Sequence, residues 1–252
     1  VASRPITDLV EQFDVDDVRV EVPPEARYNI APTEEVLGVR QVIEPKGNGR
    51  PGEGSDGEGV RHRRLGSYRW GLVPSWAKDP SVGARAFNAR AETLSTKPMF
   101  RNALERRRLI IPADAFYEWK RVPSGSSKAP RRLPYCFKAA DGSALGFAGL
   151  YEVWRQPGDG PWLASCSIVT TPANHLVAPV HDRMPLVLLP EQYDAWLQPG
   201  PLAEEELRRL LTPTPDDFLV CYRVSNEVSN SNSDGPQLVE PLEEADDIEQ
   251  IG

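Results

Sequence analysis

Residues 135–170 read YCFKAADGSALGFAGLYEVWRQPGDGPWLASCSIVT. Three runs within this stretch, Tyr135 to Ala139, Leu145 to Trp154 and Trp162 to Thr170, are rich in aromatic and β-branched residues. Such side chains fit a pleated, half-buried surface, so three consecutive strands are expected. Working outward, Val36 to Ile43, Arg61 to Trp70, Leu186 to Leu189 and Phe218 to Val224 read as further strands. Arg108 to Ile111 and Phe116 to Lys120 do so on either side of a Pro-Ala-Asp turn. Ile6, Leu9, Val10 and Phe13 fall on one face of a short amphipathic helix. Short helices are also expected at Phe100 to Arg107, Pro190 to Leu197 and Ala203 to Leu211, the last with acids in its first turn and arginines in its last. The chain shows neither a repeat of roughly 20–50 residues nor strand-helix alternation. The expected fold is therefore α+β: a single domain on a curved, mostly antiparallel sheet or open β-barrel, with peripheral short helices.

The expected domain runs over residues 1–241, followed by an acidic tail at 242–252. Residues 45–59 hold six glycines and almost no apolar side chains, which predicts a flexible loop, and 122–130 predicts a second. The polar, acidic segment from Asn226 is expected to be irregular.

The chain has 252 residues, long enough for one large or two small domains, and its 40% hydrophobic and 26% charged content argues against global disorder. Its net charge is −8, which taken whole argues against binding a polyanion. The distribution says otherwise. Residues 60–132 carry 17 basic and 5 acidic side chains, whereas 224–252 carry 8 acids and no Lys or Arg. The three cysteines, Cys136, Cys166 and Cys221, are widely spaced and form no metal-ligand pattern, which suits a reducing compartment. No apolar run approaches the roughly 18 residues of a membrane span, and residues 1–9 show no secretory signal. The expected address is cytoplasmic, at the nucleoid. Phosphate loops, dinucleotide fingerprints and zinc-protease or serine-hydrolase motifs are all absent from the sequence.

Five short strings stand out: Tyr28-Asn29-Ile30-Ala31-Pro32-Thr33, Trp70-Gly71-Leu72-Val73-Pro74-Ser75-Trp76, Phe87-Asn88-Ala89-Arg90-Ala91-Glu92-Thr93, Pro112-Ala113-Asp114-Ala115-Phe116-Tyr117-Glu118-Trp119 and Val180-His181-Asp182-Arg183-Met184-Pro185. In order and content the sequence resembles the SRAP family over about Val1 to Pro241. That resemblance implies a protein that binds single-stranded DNA and forms a covalent adduct with an abasic site. The family's nucleophile is an amino-terminal cysteine. Its α-amine forms a Schiff base with the ring-opened sugar, and its thiol then closes a thiazolidine. An α-amine titrates near pH ~8, so a useful fraction is neutral and nucleophilic. The family opens Met-Cys-Gly-Arg plus an aromatic, and Val1-Ala2-Ser3 matches the positions just after that opening. The cysteine is expected a few residues upstream of Val1.

The resemblance also distributes roles. Glu118, otherwise readable as a solvent-facing strand residue, matches an acid/base group beside the cysteine amine. His181 matches a histidine that assists opening of the sugar ring, a duty suited to imidazole. Asn88, otherwise a turn residue, matches a pocket residue that hydrogen-bonds the sugar. Arg90 and Arg183 are implied to hold flanking phosphates, with a weaker case for Asn29 and Thr170. Trp70, Trp76 and Trp119 have a core-packing reading beside one in which they, with Pro74, stack on or wedge between bases. The Arg106-Arg107-Arg108 run reads as a solvated helix end. No metal or organic cofactor is expected, and the protein is expected to act as a monomer. A non-covalent DNA-binding module and a thiol peptidase, including one acting on its own initiator Met, are the alternative readings.

Overall fold

A computed structural model describes residues 1–20, 24–45, 59–123 and 130–242. The glycine-rich loop, the second loop and the acidic tail expected from the sequence fall largely outside these described residues. In chain order the elements are α1 (Ile6–Gln12), β1 (Asp17–Arg19), β2 (Glu35–Pro45), β3 (Gly59–Trp70), β4 (Asn88–Arg90), α2 (Arg101–Arg106), β5 (Arg108–Ala113), β6 (Phe116–Val122), β7 (Arg131–Ala139), β8 (Leu145–Arg155), β9 (Trp162–Pro172), β10 (Arg183–Pro185), β11 (Val187–Leu188), α3 (Tyr193–Leu197), α4 (Glu204–Leu210) and β12 (Leu219–Arg223).

The stretch that decides the fold behaves as expected. β8 and β9 pair antiparallel from Gly149↔Ile168 to Arg155↔Trp162. β5 pairs with β8, β2 with β5, and β3 runs the full length of β2. The large sheet is mostly antiparallel, and its ends meet: Arg69 and Trp70 of β3 pair parallel with Ser165 and Cys166 of β9. The ring β3-β2-β5-β8-β9 thus closes on itself, which removes exposed sheet edges. β9 is its hub, pairing with β4 at Ile168 to Thr170 and with β10 at Thr170 to Pro172. A second sheet, ordered β12-β7-β6, packs against the ring.

Strand alternation divides the core in two. Ile110 and Val169 face a cluster with Phe13 of α1 and Trp196 of α3, whereas Leu109, Ile111 and Ile168 face Phe116 and Phe137 of the smaller sheet. β5 is buried along its whole length, which is why Leu109 to Ala113 read as a continuous apolar run. Phe116 stacks on Phe137 within the small sheet, and meets Phe147 of β8 edge-on with ring centroids 6.0 Å apart, which joins that sheet to the ring.

Two expectations are corrected. Arg108 is no solvated helix end: it is buried, and its guanidinium donates to the carbonyls of Leu104, Trp196, Gln198 and Gly200 around the ends of α2 and α3. Those carbonyls lack helical partners, so a planar five-donor fork satisfies several at once. The segment from Asn226 is no loose tail either. It forms short 3-10 turns at Asn226–Ser229 and Pro236–Val239, with Val228 and Leu238 buried against Ala115 and Cys136. Its polar composition hides two apolar anchors. The three-residue strands β1, β4 and β10 were not expected, because such short segments carry no periodicity of their own.

Candidate active site

A cavity of about 610 Å³ opens where β4, β6 and the β9–β10 corner converge. Its lining brings together Asn29, Trp70, Asn88, Arg90, Glu118, Trp119, Thr170, His181 and Arg183, which are scattered along the chain.

Glu118 is carried by β6, which leaves the Ala113–Phe116 corner. That corner is braced from the chain's start. The Val1 nitrogen donates to Ala115 O at 3.0 Å, and the Asp114 N–H donates to Val1 O at 2.9 Å. Asp114 accepts from Ser3 N (2.6 Å), Ser3 Oγ (2.9 Å) and Arg4 Nε (2.8 Å). Val1 and Ala2 therefore form part of the cavity wall. Glu118 has no such set of donors. Burial pushes its pKa up to about 7, with Asp182 pushing the same way and His181 opposing. Its Oε2 lies 3.7 Å from Nδ1 of His181.

His181 is held by its neighbours in the chain. Its Nδ1 lies 3.1 Å from the Arg183 N–H and 3.0 Å from the Arg183 carbonyl, and the tautomer decides which bond forms. Either bond fixes the ring's orientation toward Glu118.

Asn88 and Arg90 flank buried Ala89, so period-2 alternation turns both outward together into the cavity. The parallel pairing with β9 sets Arg90 opposite Thr170. Arg183 is more constrained. It is paired through Nη1 and Nη2 with the Glu92 carboxylate and donates to the Thr170 carbonyl at 2.6 Å. A guanidinium so held is already half neutralised. Arg90, exposed and in no ion pair among the described residues, is the freer cation.

The remaining expected residues divide. Asn29 spends its amide on the carbonyls of Val228, Asn230 and Ser233, fastening the C-terminal turns to the wall. Trp70 donates to Phe87 O at 2.8 Å and meets the Phe87 ring edge-on, positioning the segment that enters β4. Trp119 lines the cavity with its indole N–H on Ser229 Oγ. Pro74 and Trp76 do not line it. After Trp70 the backbone turns at Gly71, φ +141°, where a Cβ would meet Gly83 O at 2.6 Å. The loop then packs Val73 and Ala77 under Trp154. Pro74 is buried there, and Trp76 is 64% exposed on the outer surface.

Missed from the sequence were Asp114, whose bonds brace the corner, and Arg85, which lines the cavity. The Asp in the Pro-Ala-Asp turn was a visible signal, since turn carboxylates collect backbone N–H groups. No group of His, Cys, Asp and Glu among the described residues is arranged to hold a metal ion. Cys136 and Cys166 are buried and Cys221 is half-buried; burial pushes all three thiols up, which keeps them un-ionised near neutrality.

The chain belongs to the SRAP family. The family model described as SOS response associated peptidase (SRAP) matches residues 1–231. The chain is 40% identical over 233 residues to the abasic site processing protein YoqW of Bacillus subtilis (strain 168), covering 92% of this chain and 94% of that one. It is 31% identical over 200 residues to the abasic site processing protein HMCES of Mus musculus, covering 69% and 56%. A crystal structure of a protein from Bordetella bronchiseptica matches with a TM-score of 0.67 at 27% identity, over 89% of this chain and 97% of that one. No described helix is long and apolar enough to cross a membrane.

Proposed function

We propose that this protein processes abasic sites in single-stranded DNA and captures the opened sugar as a covalent adduct. The observation that carries the reading is Glu118: a carboxyl held near pKa 7 in a cavity wall, 3.7 Å from an oriented imidazole, with Asn88 and Arg90 alongside. A base-free sugar is the one nucleotide that opens to an aldehyde, so chemistry selects the substrate and the cavity need only admit it. The abasic site processing proteins similar to this chain support the same reading.

The nucleophile in this proposal is a cysteine upstream of Val1, where the family's Met-Cys-Gly-Arg-aromatic opening aligns. Val1 already stands in the cavity wall, and four further residues span at most ~14 Å. The cysteine amine adds to the C1′ aldehyde, and the resulting carbinolamine loses water to give the Schiff base. A carboxyl near pKa 7 is present in both protonation states at neutral pH. Glu118 therefore donates a proton to the departing hydroxyl and accepts one from the ammonium of the adduct. The thiol then adds to the imine carbon, its proton passes to the nitrogen, and a thiazolidine closes. His181 serves the preceding ring opening, shuttling the proton between the 1′-hydroxyl and the ring oxygen. Asn88 hydrogen-bonds the sugar, Arg90 faces a flanking phosphate, and Trp119 offers a ring to a neighbouring base.

The test compares the chain beginning at Val1 with one carrying the Met-Cys-Gly-Arg-aromatic opening, each incubated with an abasic single-stranded oligonucleotide. A heat-stable shifted band is expected from the longer chain, lost on changing its cysteine to Ala. A band of equal strength from the Val1 chain overturns the cysteine mechanism. Binding without any band in either chain leaves the non-covalent DNA-binding module.

A further inference from the structure

Four arginines of the basic stretch at 60–132 are spent on partners within the protein. Arg63 pairs with Asp194, Arg64 with Asp17 and Glu44, Arg107 with Glu152, and Arg108 with buried carbonyls. One part of the stretch is not. Lys120 and Arg121 on β6, and Arg132 on β7, form no ion pair or side-chain hydrogen bond among the described residues, and Arg121 and Arg132 are exposed. They are also adjacent. The antiparallel register sets Arg121 directly opposite Arg132 and Lys120 opposite Leu133.

Like charges directly opposite across a sheet destabilise it, so the fold itself gains nothing from this pair. The placement matters as much as the charge. β6 first passes through the cavity wall with Glu118 and Trp119, and Arg121 follows only two residues after Trp119, on the same face of the strand. At a strand rise of about 3.3 Å per residue, Arg121 stands roughly 10 Å beyond Glu118. The Arg121–Arg132 pair thus continues outward from the aromatic ring that lines the cavity.

We propose that the β6–β7 hairpin is a second nucleic-acid contact, in which Arg121 and Arg132, supported by Lys120, grip the phosphates of the single strand as it leaves the cavity. This rests on the abasic-DNA reading of the cavity and adds a polarity to it: the strand exits along the hairpin. Its phosphates would neutralise the repulsion that the fold leaves in place.

The experiment measures binding of two abasic single-stranded oligonucleotides over a range of salt. One is just long enough to fill the cavity, and the other is extended by several nucleotides on both sides of the lesion. The proteins are the wild type, Arg121→Gln/Arg132→Gln and, as a cavity control, Arg90→Ala. Wild type is expected to prefer the extended oligonucleotide. The double variant should bind it roughly tenfold more weakly at low salt, with a log–log salt slope shallower by about 1.4 for two lost contacts. It should bind the short oligonucleotide as wild type does and melt no lower, because it removes a repulsion. If the double variant keeps the wild-type preference and slope while Arg90→Ala weakens both oligonucleotides, the hairpin proposal fails and the cavity reading stands. If wild type binds neither oligonucleotide, both fail.

Discussion

Asp114 and Glu118 are four residues apart, beside the same cavity, and their surroundings drive them in opposite directions. Asp114 is half-buried, yet Arg4 and the Ser3 N–H and hydroxyl surround it, and together they hold its carboxyl below the usual range. Glu118 is similarly shielded, but only one backbone N–H and a histidine at 3.7 Å favour its ionised form, and burial raises it to about 7. The lesson is that burial alone does not raise a carboxyl's pKa; burial without donors does. Asp114 holds Ser3 and Arg4 in place, and Glu118 is left without comparable partners, as the proposed proton transfer requires.

Exchanging the two acids for neutral groups should separate these roles. The largest effect expected is on the rate of adduct formation. Glu118→Gln should slow it by about 10²–10⁴-fold, measured by single-turnover crosslinking, while the melting temperature stays level or rises. An unchanged rate would break the assignment of Glu118 as the proton carrier. Asp114→Ala should instead act on stability, costing on the order of 3 kcal/mol in denaturant unfolding because Arg4 and two Ser3 donors lose their acceptor. Equal stability would mean the brace is dispensable.

The pH dependence sharpens the contrast, since the two contributions have opposite sign. Asp114, with its folded pKa depressed, adds stability present above about pH 4 and lost as the pH falls through its folded value. Glu118, with its folded pKa raised, favours the fold below its ordinary value of 4.5, and that contribution is lost as the pH rises toward about 7. The stability gap between Glu118→Gln and wild type should therefore widen by on the order of 2 kcal/mol from pH 4.5 to 7, measured by urea unfolding. A constant gap would mean that the carboxyl titrates as it does in water. The smallest effect compares two tryptophans. Trp119→Ala should cost about 1–3 kcal/mol in single-strand binding, whereas Trp76→Ala, on the outer surface, should leave the affinity within about twofold. Equal losses would place the strand over both.

Much of the ring was legible because its strands carry their own signal. β8 and β9 are aromatic and β-branched, and β5 is apolar after Arg108, so periodicity and composition located all three. Residues 226–241 were misread because two buried apolar side chains, Val228 and Leu238, are too few to outweigh a polar composition. Within the candidate site, Glu118, His181 and Asn88 were singled out through the strings around them, and the structure brings the three to one cavity. Trp76 shared a string with Trp70, but the turn at Gly71 sent the two to different surfaces.

The amino-acid sequence by itself determined the longer strands, the family and the side chains able to carry chemistry, because alternation, turn residues and short motifs are local properties of a chain. Only the tertiary structure decided which of them stand free at the cavity and which are spent on partners. Asp114 is neutralised by Arg4, Arg64 by Asp17 and Glu44, and Arg183 by Glu92, across separations of tens of residues. A pKa or a free charge is set by what lies within a few ångströms in space, and only the closing of the ring and the docking of the second sheet establish those distances.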